Sequence, residues 1–240
     1  MSRPFLERMT VVRSDDNATL EALFHPPLPD DTRACLLVPG VPGLGGGIDH
    51  AVLAELSFAF SQQGMAVLRF NLRGVGVSTK VDGAYTLWDD TLDDDEQLAL
   101  RTRSAVDVVA ALQHLRDSTH ADELFVVGHG YGACAVHAAL QRRGNDDDVA
   151  QAFADVAAVG FVSAPFATPG AFARGVFGDD VVDIPLQVLA AADDVQLTDD
   201  VVAEANAAGV FPQRVPDADV GFTRGLTSLG KTLVARMVHD

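Results

Sequence analysis

Short apolar runs and longer amphipathic stretches alternate along this chain. Residues 11–14 and 20–24 flank Asp15, Asp16 and Asn17, which predicts an N-terminal antiparallel hairpin turned at those three polar residues. Residues 34–38 carry the unbroken apolar run Cys35-Leu36-Leu37-Val38, the pattern of a strand buried on both faces. A Gly/Pro-rich loop follows at 39–47. Residues 50–62 then place Val52, Leu53, Leu56, Phe58 and Phe60 on an approximate helical face, with Gly64 positioned as a C′ glycine. Further strands are predicted at 65–70, 124–127, 159–162 and 186–189, and helices at 97–116, 137–143 and 226–238, with residues 215–222 leading into the last helix. Strands alternating with helices predict an α/β fold: a mainly parallel central sheet flanked by helices, preceded by the hairpin.

Composition narrows the possibilities without changing that architecture. The chain has 240 residues, 48% hydrophobic and 21% charged, and neither a repeat nor a low-complexity linker divides it, so one domain is expected over 1–240. Seventeen Lys and Arg against 34 Asp and Glu give a formal charge of −17. A surface of that sign repels polyanions, which argues against nucleic acid and anionic membranes as partners. The two cysteines, Cys35 and Cys134, are far apart and form no C-x-x-C pair, so neither a disulfide framework nor a thiolate metal site is expected. No apolar run reaches the roughly 18 to 20 residues of a membrane helix, so a soluble protein without membrane insertion is expected. The first ten residues lack a signal-like apolar core and read as a cytoplasmic start; Arg3, Arg8 and Arg13 leave a mitochondrial address as the alternative. Around Trp88 lies an acidic run, Asp89, Asp90, Asp93, Asp94, Asp95 and Glu96, which reads as the solvated start of a helix or, alternatively, as a partner-facing patch.

The sharpest local signal is Phe125-Val126-Val127-Gly128-His129-Gly130-Tyr131-Gly132-Ala133, a buried strand running into a glycine-rich turn and then a helix. A nucleophile elbow, G-x-S-x-G, belongs in such a place, because its flanking glycines allow a tight turn and its central residue sits at strained positive φ. Here the centre is Gly130. With the segment Arg69-Phe70-Asn71-Leu72-Arg73-Gly74-Val75-Gly76-Val77-Ser78, which is similar to an R-F-N-x-R-G-x-G-x-S pattern, the chain resembles the α/β-hydrolase superfamily, in particular its small dienelactone-hydrolase-like esterases without a separate lid domain. That resemblance covers most of the chain. It implies that the loop containing Pro39, Gly40 and Gly43 corresponds to the oxyanion region, together with Gly128, His129, Tyr131 and Gly132 around the elbow.

The same resemblance asks for an acid after a later strand and a histidine before the final helix. Residues 185–194 end in Asp193 and Asp194, and spacing does not choose between them. Residues 216–222 resemble a P-x-A-D-H-F-F segment in which Val220 stands at the histidine position. Glycine cannot attack a carbonyl and valine cannot act as a base, so Ser-His-Asp catalysis is excluded by residue type. Cys134 lies one helical turn beyond Gly130 and is expected to pack as a small hydrophobe. His129 and His50 are placed at the cleft, whereas His25, His114, His120, His137 and His239 show no ligand spacing, so no metal is expected.

Three readings follow. The first is a catalytically silent hydrolase-like protein, a pseudoenzyme that binds a protein partner or a small ligand, without a cofactor. The second is an active hydrolase or esterase that uses another nucleophile on small acyl substrates. The third is nucleotide binding, since Gly128-x-Gly130-x-x-Ala133 formally fits G-x-G-x-x-G/A; the acid that this fingerprint wants after the next strand is replaced by Ser163 and Ala164.

Overall fold

A computed structural model describes residues 6–40, 46–80, 94–167, 172, 176–177 and 183–239. The hairpin is present as β1 (Arg8–Arg13) and β2 (Thr19–His25), paired antiparallel from Arg8↔Phe24 to Arg13↔Thr19. Ser14 and Asn17 close its turn, and Asn17 takes the left-handed conformation at φ 65° that Asn tolerates better than most residues. The remaining strands are β3 (Arg33–Val38), β4 (Ala66–Phe70), β5 (Glu123–His129), β6 (Val156–Val162), β7 (Leu186–Ala191) and β8 (Gln213–Val215). The sheet runs β1-β2-β4-β3-β5-β6-β7-β8, antiparallel through β2–β4 and parallel from β4 to β8.

Alternation along β3 sorts its side chains into two cores. Ala34, Leu36 and Val38 enter one hydrophobic cluster with α2 (Asp94–Thr119) and α3 (Tyr131–Arg142), while Cys35 and Leu37 enter the other with α1 (Ala51–Gln62) and α6 (Leu226–Val238). This two-faced burial is why the strand reads as an unbroken apolar run. Two short helices complete the set, α4 (Asp147–Ala152) and α5 (Asp199–Ala207). The sequence pattern does not predict α5, whose apolar face is narrow; it is started by Thr198, whose hydroxyl accepts from the Val201 N–H. Phe58 differs from expectation. It is 42% exposed, because α1 buries Val52, Leu53, Leu56 and Phe60 and turns position 58 outward. Residues 216–222 form the turns before α6. Helix α2 starts at Asp94, so the last acids of the run do open a helix, whereas Trp88 and residues 89–93 lie outside the described residues. Among the described residues, no helix is long and apolar enough to cross a membrane.

The segment after β4 is tied down by polar contacts that its sequence pattern does not reveal. Arg69 binds the Glu7 carboxylate through Nε and Nη2 and donates to the Ile48 carbonyl, while Asn71 Oδ1 accepts the Ile48 N–H at 2.8 Å. Arg73 reaches Asp107 through Nε at 2.8 Å, Nη2 at 2.5 Å and its own backbone N–H at 3.0 Å, and it also binds Asp16. Asp107 is fully buried on α2. Hydrogen bonding to Arg73 holds the half-exposed Asp16 carboxyl at about 2. A buried charge left without its partner is costly. Arg73→Ala is therefore expected to lower stability by about 3–5 kcal/mol, whereas replacing Arg73 and Asp107 together by apolar residues of similar size loses much less. Urea unfolding of the two variants distinguishes these outcomes.

Candidate functional site

Strand β5 lies between β3 and β6 in the middle of the parallel region, so its C-terminal end opens onto the edge where open α/β sheets place ligands. The chain turns there within one residue. Gly130 has φ 53° and ψ −121°; its N–H donates to the Val162 carbonyl at 2.8 Å, and its own carbonyl accepts from Ala133 as α3 begins. The flanking glycines are required by close approach. A Cβ on Gly128 would stand 2.5 Å from the Ala133 nitrogen, and one on Gly132 would overlap the Val38 carbonyl oxygen. At Gly130 itself, the nearest atom to such a Cβ is the Gly40 Cα at 3.7 Å, an ordinary contact. The apex therefore has room for a side chain and lacks one. The first amides of α3 have no carbonyl partner one turn back within the helix, and they give this turn the positive end of the helix dipole.

The end of β3 closes one side. Pro39 and Gly40 are buried, and a Cβ on Gly40 would lie 3.2 Å from His129 Nδ1. Gly43 lies outside the described residues. On the far side of that loop, the Ile48 backbone is held by Asn71 and Arg69, so the segment after β4 also fixes where α1 begins. His50 caps α1, its Nδ1 accepting from the Val52 N–H at 3.3 Å, and its ring lies 4.7 Å from that of His129. The two histidines placed at the cleft by sequence are thus brought together. Burial pushes the His50 imidazole down. In His129, burial followed by the neighbouring His50 lowers it to about 3, so both rings are neutral at pH 7. His129 as a residue is partly exposed, but its Nδ1 is sealed from solvent and has no hydrogen-bond partner.

The remaining expected positions separate by burial. After β7, Asp193 is exposed and Asp194 is buried, with Asp194 Oδ1 accepting the Gln196 N–H at 2.9 Å. The neighbouring loop is joined to this one by the Ala192 N–H donating to the Ala218 carbonyl at 3.0 Å, and it carries Val220 at 58% exposure. Valine does not fill the cleft; it points to solvent. Tyr131 and Cys134 are buried in α3, as packing residues would be, and His137 stands edge-on to Phe172. One residue at this edge carries no sequence signal. Ser163, directly after β6 and next to the Gly130–Val162 hydrogen bond, has φ 44° and a buried Oγ without a hydrogen-bond partner. No local motif announces it, because its strain and its orphaned hydroxyl arise from packing. Among the described residues, no group of three or more His, Cys, Asp or Glu could hold a metal ion.

No family model matches the chain, and no curated protein matches it either. Solved structures do match it. An α/β serine hydrolase without a lid from Xanthomonas campestris aligns over 100% of this chain and 99% of its own, with a TM-score of 0.66 and 20% identity. An α-β serine hydrolase homologue from Coxiella burnetii covers 99% and 100% at TM-score 0.68 and 20% identity. A Pyrococcus furiosus esterase covers 98% and 90% at TM-score 0.68 and 14% identity. The chain has the α/β-hydrolase fold. The eight-stranded sheet with its antiparallel N-terminal pair and parallel remainder accords with that fold.

Two predictions come from this geometry. Gly130→Ala fits sterically and is expected to cost roughly 1–3 kcal/mol for its positive φ, while Gly132→Ala collides with β3 and is expected to cost more, a ranking read directly from urea midpoints. The second concerns pH. An imidazole whose folded value lies near 3 instead of 6.5 binds fewer protons folded than unfolded between those values, so its contribution falls as pH falls through that window. His129→Leu is expected to flatten acid destabilisation between pH 6.5 and 3 by up to about 1.4 kcal/mol per pH unit, measured by unfolding across that range.

Proposed function

We propose that this chain is a catalytically silent α/β-hydrolase-fold protein, a single-domain pseudoenzyme that serves by binding a protein partner or a small ligand and uses no cofactor. The observation that carries the reading is Gly130: the apex keeps the positive-φ turn and the space for a nucleophile, and the residue there has no atom that can attack. Val220, exposed in the loop before α6, supplies no base, and Asp194 is the better candidate than Asp193 for a vestigial acid because it is the buried one. Gly128, His129, Tyr131, Gly132, Pro39 and Gly40 belong to the vestigial elbow and oxyanion region in this reading. A cytoplasmic location accords with it.

One observation favours the competing reading of an active hydrolase: the structural neighbours are named as hydrolases and esterases. Those names belong to proteins at most 20% identical to this one, and a serine hydrolase needs the hydroxyl that Gly130 lacks. Ser163 is the nearby hydroxyl, and its buried Oγ is poorly placed to meet a substrate. Nucleotide binding draws no support from β6, which lies parallel to β5 and is followed by Ser163 and Ala164, without an acid for a ribose.

The decisive experiment combines an activated p-nitrophenyl ester series with a fluorophosphonate probe. The native chain is expected to show background hydrolysis and no labelling, and Gly130→Ser with Val220→His is expected to become labelled at position 130, since loss of a nucleophile or base in such a site costs on the order of 10⁶ in kcat. Turnover by the native chain that survives Gly130→Ala would overturn the proposal in favour of another nucleophile.

A further inference from the structure

Strand β1 is one edge of the sheet: it pairs with β2, and among the described residues no strand pairs with its other side. The opposite edge is protected. There β8 has only three residues, and its central Arg214 binds the carbonyls of Ala191, Ala192, Asp194 and Leu197. By contrast β1 is six residues long and keeps one continuous register with β2, without a bulge to turn it away.

The hydrogen-bond phase of β1 is fixed by its turn. Ser14 N–H donates to the Ala18 carbonyl, so by the alternation of antiparallel pairs Val12, Thr10 and Arg8 direct their backbone groups toward β2. The far side of β2 has the matching phase: the Glu21 and Thr19 carbonyls accept from Asn71 and Thr79, away from β1. Met9, Val11 and Arg13 therefore present their N–H and C=O groups outward. Their side chains share a face with Glu7, which binds Ser57 of α1 and Arg69 of β4. On that face Met9 is 60% and Val11 48% exposed.

We propose that β1 pairs antiparallel with β1 of a second copy of this chain, across a two-fold axis at Thr10, so that one sheet continues through both protomers. Only outward-facing residues can bond across the edge, which puts the axis at a residue and not between two, and the greatest overlap of the two six-residue strands lies with the axis at position 9, 10 or 11. With the axis at Thr10, Met9 lies opposite the partner's Val11 and Arg13 opposite the partner's Glu7. The four apolar side chains then form one covered stripe, and each exposed guanidinium meets a carboxylate that Arg69 and Ser57 already hold in place. With the axis at Val11, Met9 would instead face the partner's Arg13; with the axis at Met9, Arg13 would lose its acidic partner. Charge complementarity thus selects one register.

Size-exclusion chromatography with light scattering, on the full chain from about 5 to 200 µM, is expected to give the mass of two chains at the upper concentrations. Val11→Pro deletes an outward N–H and leaves the β1–β2 bonds, which use the even positions, so far-UV circular dichroism should persist while the dimer weakens at least tenfold. Thr10→Cys tests the register independently of that variant. Thr10 would face the partner's Thr10 as a non-hydrogen-bonded pair with Cα atoms about 4.5 Å apart, within disulfide reach. Cys35 and Cys134 are buried and stay out of the reaction. Mild oxidation is expected to give a covalent dimer from Thr10→Cys and none from Met9→Cys. A monomer at the highest concentration, a dimer that Val11→Pro leaves intact, or failure of Thr10→Cys to cross-link overturns the proposal.

Discussion

The contact between the first turn of α3 and the end of β3 governs the rest of the site. The helix comes so near that Gly132 has no space for a Cβ against the Val38 carbonyl, and Gly128 has none against Ala133. A chain that must leave β5 and enter a helix at this distance has to reverse in one residue, and that residue is forced to positive φ. The strained turn is therefore a consequence of packing a helix over the central strands. It does not depend on what the apex residue does, which is why the elbow shape can persist around a glycine.

The same reasoning gives a physical meaning to glycine at the apex. A serine held there stores about 1–3 kcal/mol of backbone strain, which is tolerated where the hydroxyl must be presented to substrate. Glycine adopts the conformation at little cost, so the turn at Gly130 is made without that strain. Around it, the Arg69–Asn71–Arg73 segment keeps working as scaffold: it fixes the Ile48 backbone on one side and the buried Asp107 on the other. That clamp links the N-terminal hairpin, the start of α1 and α2. Its residues serve the architecture whether or not a bond is ever broken above the sheet.

Much of this was legible in the sequence because it reflects short-range constraints. The apolar run at Cys35–Val38 announced a strand with a core on each face, and the spacing Gly128, Gly130, Gly132 announced the tight turn, since only glycine meets those backbone demands. Other features depend on three-dimensional neighbours and leave no local trace. Asp193 and Asp194 are indistinguishable as letters, and only the fold of the loop after β7 buries the second. Phe58 fits a helical face loosely enough to be misassigned, because a hydrophobic residue at the margin of a stripe is oriented by the helix's docking angle. The resemblance to a known segment picked out Arg69, Asn71 and Arg73 but not their bonds, because Glu7, Ile48, Asp16 and Asp107 are distant along the chain.

His50 and His129 lie together at the C-terminal edge of the sheet. Two imidazoles 4.7 Å apart would repel if both carried charge, and burial already favours their neutral forms. His50 has a structural task, capping α1 through Nδ1, and His129 ends β5. Each therefore has a reason to stay that is independent of acid–base chemistry. Neutrality near pH 7 leaves them as an uncharged wall beside an empty apex, lined by the amides that open α3. Each neutral imidazole carries one donor and one acceptor nitrogen, and the acceptor of His50 is already committed to the Val52 N–H.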